Sequence, residues 1–340
     1  MRLAINRRRF LVGAAAAAAT PAVANVPTPY EWDVSPPRQS REAFVEWMAR
    51  NRGEDRRFLG ERWDRLQQII AHHDIWDEAD IRAYLLTPRE EFVTAENLDR
   101  AYEWHHLNIG FGVTITGPHT VARMTNTLGI KRSDKALEIG TGSGYQSAYL
   151  ANLTPHVWSI EIIPPLAART RQLYDRLMAR GYSEYRAIRT RNADGYYGWE
   201  EFAPFDKIIV TCGIDHIPPP LLQQLTPDGI MVIPVGPPGA QHVIKATKSR
   251  SPDGRVSVTR SDIYGGAIIP FVPFTGPGQA HSFARSSRFQ PRAARFDFAS
   301  GVAAPVMTSV LLLAPALCAA AVIASIVCAV PGVHDRTSIG

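Results

Sequence analysis

The chain has 340 residues, 45% of them hydrophobic and 20% charged, enough to bury the core of one large or two ordinary domains. Its formal net charge is +5, with much of the basic excess in local runs near the ends, and the lack of a continuous basic stripe argues against nucleic acid as a partner. Three cysteines, Cys212, Cys318 and Cys328, form neither a disulfide framework nor a CxxC zinc pair.

Residues 1–24 contain Arg7-Arg8-Arg9-Phe10-Leu11, a run of alanines and Ala22-Val23-Ala24. Basic residues, a short apolar stretch and an A-x-A end form a signal-like segment, and the paired arginines point to the twin-arginine route. Residues 25–40 are rich in proline and polar residues and read as a linker. Residues 41–118 form a helical N-terminal region. Phe44, Trp47 and Met48, then Leu66, Ile69 and Ile70, recur at helical spacing up to about Arg82, which predicts a helical cap packed on the core domain.

Residues 119–276 read as that core domain. Strands are expected at 136–139, 156–160, 205–211 and 229–235, with a helix at 164–180 that starts on prolines and stops before Gly181. Continuous apolar strands alternating with helices predict a Rossmann-like, doubly wound, mostly parallel α/β sheet. Residues 243–247 and 256–263, joined through Pro252-Asp253-Gly254, add an antiparallel edge. A basic linker occupies 277–301, then an uncharged apolar tail runs over 302–330, long enough for a candidate transmembrane helix and so for membrane contact. Arg285, Arg288, Arg292 and Arg295 ahead of that tail would hold their side cytoplasmic, whereas an export signal would place it outside.

The strongest motif is Glu138-Ile139-Gly140-Thr141-Gly142-Ser143-Gly144-Tyr145-Gln146, placed after a strand and before a helix. Its glycines let the backbone turn sharply and approach a ligand. A dinucleotide fingerprint would need a third glycine where Tyr145 stands. The GxGxG form resembles motif I of the class I methyltransferases, where the loop passes the amino-acid part of S-adenosylmethionine. Glu161 ends the next strand and is placed to accept ribose hydroxyls; Asn192-Ala193-Asp194-Gly195 ends the one after, with Asp194 placed to meet an adenine amino group.

From about Leu86 to Gly276 the chain resembles protein-L-isoaspartate O-methyltransferase in the order and spacing of its motifs. They are Pro88-Arg89-Glu90 with Phe92-Val93, Ala101-Tyr102, Ile115-Thr116-Gly117-Pro118-His119 with Ala122-Arg123-Met124, and the glycine loop. Asp194-Gly195 with Gly198-Trp199, Ala203-Pro204-Phe205-Asp206, Gln224-Leu225, Pro234-Val235-Gly236 and Phe271-Val272-Pro273-Phe274-Thr275-Gly276 complete the match. The resemblance implies methyl transfer from S-adenosyl-L-methionine to the α-carboxylate of an L-isoaspartyl residue in a damaged protein or peptide. It implies that Gly140, Gly142, Gly144, Glu161 and Asp194 line the cofactor site; Glu138, Thr141 and Gly195, from the same motifs, are counted with them, and no metal site is expected. It also implies that the Ile115–His119 segment lies over the acceptor carboxylate, with the Thr116 hydroxyl in contact with it; His119 reads either as a hydrogen-bond donor to that carboxylate or as a structural residue capping the helix from Pro118. The family commonly has serine at the position of Thr116, so a stiffer hydroxyl stands here, and Gly117 beside it is expected to leave open room. The acceptor carboxylate is already ionised at neutral pH, so no strong base is required, and no nucleophile–base signature is visible. His72, His73, His105 and His106 read as ordinary surface or core residues, and Cys212 as packing. Two other readings stay open: aspartyl methylation in a peptide-modification pathway, and a non-catalytic domain that binds isoaspartyl sites or a partner.

Overall fold

The computed structural model describes residues 31–274. The signal-like segment, the basic linker and the apolar tail lie outside the described residues. Among the described residues no helix is long and apolar enough to cross a membrane.

The helical cap consists of α1 (Arg41–Arg52), α2 (Arg56–Ala71) and α3 (Glu78–Leu86). Each starts on a side chain that accepts a backbone N–H two or three residues on: Ser40 from Ala43, Asp55 from Arg57, Asp77 from Ala79. Next come short 3-10 turns, a hairpin of two-residue strands, β1 (Leu107–Asn108) and β2 (Thr114–Ile115), and α4 (Pro118–Leu128). The hairpin lies inside a region predicted to be helical; two-residue strands are too short to carry a periodic signal.

The core strands are β3 (Ala136–Ile139), β4 (Val157–Glu161), β5 (Ile188–Asn192), β6 (Phe205–Val210), β7 (Leu225–Val235), β8 (His242–Arg250) and β9 (Val256–Asp262). Between them run α5 (Tyr145–Ala151), α6 (Pro164–Ala179) and α7 (Pro219–Gln224). The seven strands lie in the order β5-β4-β3-β6-β7-β8-β9, parallel from β5 to β7 and antiparallel beyond; the mostly parallel sheet with an antiparallel edge is as predicted, while β5 (Ile188-Arg189-Thr190-Arg191-Asn192) is a polar edge strand. β7 begins four residues before the predicted strand because the register shifts between Phe205 and Lys207, with Asp228 at φ 64°.

Side chains alternate across the sheet. Ala136, Val157, Ile209 and Val232 pack into a core shared with α1 to α6, while Leu137, Ile139, Trp158, Ile208 and Met231 pack into a second core with α7 and Trp199. The cap is bonded into the body by buried charge. Arg62 contacts Glu54 at 2.7 Å and Glu90 at 3.0 Å and donates to the Tyr102 hydroxyl at 2.7 Å; Arg52 donates to Glu184, next to α6, at 2.6 Å. Removing one partner of such a buried network costs about 3–5 kcal/mol, so the cap is part of the folding unit.

Candidate active site

The chain passes from β3 to one side of the sheet for β4 and β5, then crosses to the other side for β6. The carboxyl ends of β3 and β6 therefore diverge, and such switch points are where open α/β sheets bind ligands. A cavity of about 560 Å³ opens there. Its floor includes Gly140, Gly142, Glu161 and Gly195; its other walls come from residues 104–106, 113–120, 211–212 and 269–274.

The glycine loop is shaped by its neighbours. At Gly140, φ is 97° and a Cβ would lie 2.5 Å from Thr211 Oγ1; at Gly144, φ is 93° and a Cβ would lie 2.5 Å from the Tyr174 hydroxyl. Both positions thus require glycine for conformation and for space. Gly140 and Thr141 donate to Ile160 O at 2.8 and 3.2 Å, Gly142 to Glu161 Oε2 at 2.8 Å, and Gly144 to Thr141 O at 2.8 Å. With those N–H groups turned onto protein acceptors, the loop lacks the ring of free donors that cradles a pyrophosphate. That agrees with Tyr145 in excluding the dinucleotide reading.

Glu161 is buried at the cavity floor. Its two oxygens accept from Gly142 N–H at 2.8 Å and Ile163 N–H at 2.9 Å, one each, which fixes the carboxylate and leaves a lone pair on each oxygen. Asp194 Oδ1 accepts from Tyr196 N–H at 2.9 Å, and Gly195, the next residue, reaches the cavity wall. Thr141 lies aside: its hydroxyl is 2.6 Å from Ser159 Oγ, and it lines a small adjoining pocket of about 40 Å³.

Glu138 corrects the expectation from sequence. It lies under α5, fully buried, and accepts hydrogen bonds from the hydroxyls of Ser147 and Ser159. Burial pushes its carboxyl up to about 8, and it is absent from the walls of both pockets. Strand alternation explains the displacement: Ile139 faces the cavity, so the residue before it faces the opposite core.

Thr116 borders both the cavity and the adjoining pocket. Its carbonyl accepts from Arg89 Nη2 at 2.7 Å; the buried Arg89 also donates to Ala101 O at 2.7 Å and lies 4.8 Å from the centre of the Tyr145 ring. The Arg89 guanidinium therefore ties the Thr116 segment to the residue at the end of the glycine loop. His119 stacks on Trp104 with ring centres 4.2 Å apart and planes 6° from parallel, and its Nε2 is 3.1 Å from Thr120 Oγ1. Burial holds its imidazole down to about 4, so it is neutral at physiological pH. Gly117 does not leave open room. A Cβ there would lie 2.6 Å from the Trp104 carbonyl and 3.0 Å from His119, so the glycine lets those two segments meet.

Several wall residues carry no local sequence signal. His105 and His106, expected to be ordinary residues, line the cavity beside Trp104. The segment 269–274, whose Phe271–Phe274 part belongs to the family match, lies along another wall, held by Gly213 N–H to Val272 O at 2.8 Å, Phe274 N–H to Gly213 O at 2.7 Å and Ile269 N–H to Gln241 O at 2.9 Å. Cys212 also lines the cavity; burial pushes its thiol up, which leaves it without thiolate character. Among the described residues no cluster of histidine, cysteine, aspartate and glutamate could hold a metal ion.

A twisted parallel sheet with a glycine-loop cavity at its switch point and an acid at the end of the second core strand defines the class I S-adenosylmethionine-dependent methyltransferase type. Residues 63–276 match the family model described as Protein-L-isoaspartate(D-aspartate) O-methyltransferase. The chain is 47% identical over 192 residues to protein-L-isoaspartate O-methyltransferase 2 of Polaromonas sp., covering 56% of this chain and 84% of that one. It is 40% identical over 221 residues to the enzyme of Opitutus terrae, covering 65% and 89%. A protein-L-isoaspartate O-methyltransferase structure from Plasmodium falciparum, in complex with S-adenosyl-L-homocysteine, has the same fold at TM-score 0.52 and 20% identity, covering 62% of this chain and 97% of that one. This chain belongs to the protein-L-isoaspartate(D-aspartate) O-methyltransferase family. It is an S-adenosylmethionine-dependent protein carboxyl methyltransferase.

Proposed function

We propose that the chain methylates the α-carboxylate of L-isoaspartyl residues in damaged proteins or peptides, with the amino-acid part of the donor along the glycine loop, its ribose at Glu161 and the acceptor under Thr116. One observation carries this placement: Thr116, Gly140, Gly142 and Glu161 are walls of a single cavity. The residues fit the donor. The fixed Glu161 carboxylate turns free lone pairs towards ribose hydroxyls, and Gly140 and Gly142 keep side chains out of the donor's path. Gly195 lines the same cavity, and Asp194, one residue back and outside that lining, is assigned to the base on its position at the strand end alone. When bound, S-adenosylmethionine supplies an electrophilic methyl group on a cationic sulfur.

The protein's part is alignment and exclusion of water. Thr116 Oγ1 donates a hydrogen bond to the acceptor carboxylate and fixes one oxygen, leaving the other free to attack. His119, neutral and stacked on Trp104, holds the outer wall and donates no proton to the reaction. Arg89 keeps the Thr116 backbone at a set height above the glycine loop. No base is needed, because the carboxylate arrives ionised. Full-length protein with S-adenosylmethionine and an isoaspartyl peptide should form a base-labile methyl ester, while the normal aspartyl twin stays unmodified. Esterification of the aspartyl twin alone would replace repair with a peptide-modification activity.

The leader-like segment adds a proposal about compartment: it exports the folded enzyme. A reporter fused after residue 40 should leave the cytoplasm, and replacing Arg8 and Arg9 by lysine should retain it. Retention of both fusions would refute this.

A further inference from the structure

Three walls of the cavity meet outside it at one pair of side chains. Tyr196 comes directly after Gly195 in the turn after β5, and its hydroxyl lies 3.1 Å from His216 Nε2. His216 lies in the loop after β6, and its Nδ1 is 2.5 Å from Asp215 Oδ1. A carboxylate only accepts, so the proton sits on Nδ1, and in the neutral ring Nε2 accepts from the tyrosine hydroxyl. The same loop is bonded to the 269–274 wall through Gly213, and to the end of β7 by Ile214 N–H to Pro234 O at 3.1 Å and Gly236 N–H to Ile214 O at 2.8 Å. The Tyr196 ring also stands edge-on to Phe274, with centres 6.5 Å apart.

Neither Tyr196 nor His216 lines the cavity. Both are half-buried: the Tyr196 ring packs against the second core, whereas the side chains of His216 and Asp215 are 34% and 31% exposed. We infer that Asp215, His216 and Tyr196 form a positioning clasp that locks the Asp194-Gly195 turn onto the loop after β6 and so sets the nucleoside end of the cavity. The inference rests on the methyltransferase reading, and it assigns to this reaction three residues that touch neither donor nor acceptor. Their effect passes through the turn. With the clasp open, Gly195 and Asp194 sample other positions, and the donor must select the closed one, which lowers its apparent affinity by the closed fraction.

The test compares Y196F, H216F and H216Q with the wild-type full-length protein. Readouts are S-adenosylhomocysteine affinity by calorimetry, KM for S-adenosylmethionine, kcat at saturating donor, and the melting temperature. Loss of one positioning hydrogen bond should raise the dissociation constant and donor KM about tenfold in Y196F and in H216F. kcat at saturation and KM for the peptide should stay within about twofold. H216Q presents an amide oxygen near the Nε2 position and should recover most of the affinity, and Y196F/H216F should lose no more than either single variant. Donor affinity within twofold of wild type in Y196F, which deletes a single oxygen and will fold, would overturn the clasp, as would full additivity in the double variant. Wild-type protein that binds no S-adenosylhomocysteine would instead refute the methyltransferase reading on which the clasp rests.

Discussion

Glu161→Gln is the perturbation that bears most directly on the nucleoside site. The carboxylate accepts one backbone N–H on each oxygen, from Gly142 at 2.8 Å and Ile163 at 2.9 Å. An amide has only one oxygen. Whichever way it turns, an NH₂ group faces one of those donors, and a buried N–H loses its partner at a cost of about 1–3 kcal/mol. Because the unpaired donor is present with or without ligand, this cost falls on folding. At about 2–4 °C per kcal/mol for a domain of this size, the melting temperature should drop by about 4–8 °C for a loss near 2 kcal/mol. A separate loss falls on binding, since the ribose exchanges a charged acceptor for a neutral one or for a donor. About 1.5–2 kcal/mol there raises the dissociation constant of S-adenosylhomocysteine by about 10–30-fold. Calorimetric titration and thermal melts of the same preparation separate the two effects. A lower melting temperature with unchanged affinity would refute the reasoning, because Glu161 would then brace the loop without touching the nucleoside.

Thr116→Ser keeps the hydroxyl and should retain kcat/KM within about threefold, whereas Thr116→Val should lose about 10–100-fold; equal activity of the two would remove the hydroxyl from the mechanism. Gly117→Ala puts a Cβ 2.6 Å from the Trp104 carbonyl, so it should cost about 1–3 kcal/mol in urea unfolding and perturb the His119–Trp104 stack. Stability should also depend on pH through buried acids. Burial raises both Asp80 and Glu138 to about 8. The stability they contribute is complete below the unfolded values near 4, falls by up to about 1.4 kcal/mol per pH unit for each group as pH rises, and levels off above about pH 8. Asp80→Asn should make the urea midpoint flatter between pH 5 and 8, and an unchanged slope would contradict the assignment. His119 works in the opposite sense. Its imidazole is depressed to about 4, so its share is present above about pH 6.5 and is lost as pH falls towards 4; His119→Asn should flatten that acid limb.

The centre of the sheet is legible in the sequence because β3, β4, β6 and the end of β7 are short apolar runs bounded by turns, and the glycine loop and Glu161 stand at strand ends that any such sheet presents to its ligand. Glu138 can be placed from the same pattern. Its neighbour Ile139 has to face the cavity for the loop to start at Gly140, and strict alternation then turns Glu138 away. Gly117 is a different case, because sequence cannot tell a glycine that leaves space from one that lets two segments touch, and the deciding contact, the Trp104 carbonyl, lies 13 positions away. The docking of the 269–274 wall, whose Phe271–Phe274 part matches as a motif but without a place in the site, and the Tyr196–His216 pair are hidden for a similar reason. Their partners, Gly213 and Gln241 for the wall and residues 20 apart for the pair, are joined only by the fold, and none belongs to a motif with its own spacing.

The central claim is the identity of the acceptor, and methyl transfer to matched peptides tests it most directly. Full-length protein would be incubated with tritiated S-adenosylmethionine and two peptides that differ only in whether one aspartate is joined through its side-chain or its α-carboxyl group. Label on the isoaspartyl peptide alone, released by mild base as methanol, is the predicted result. Label on the normal aspartyl peptide alone, or on neither while S-adenosylhomocysteine still binds, would contradict it.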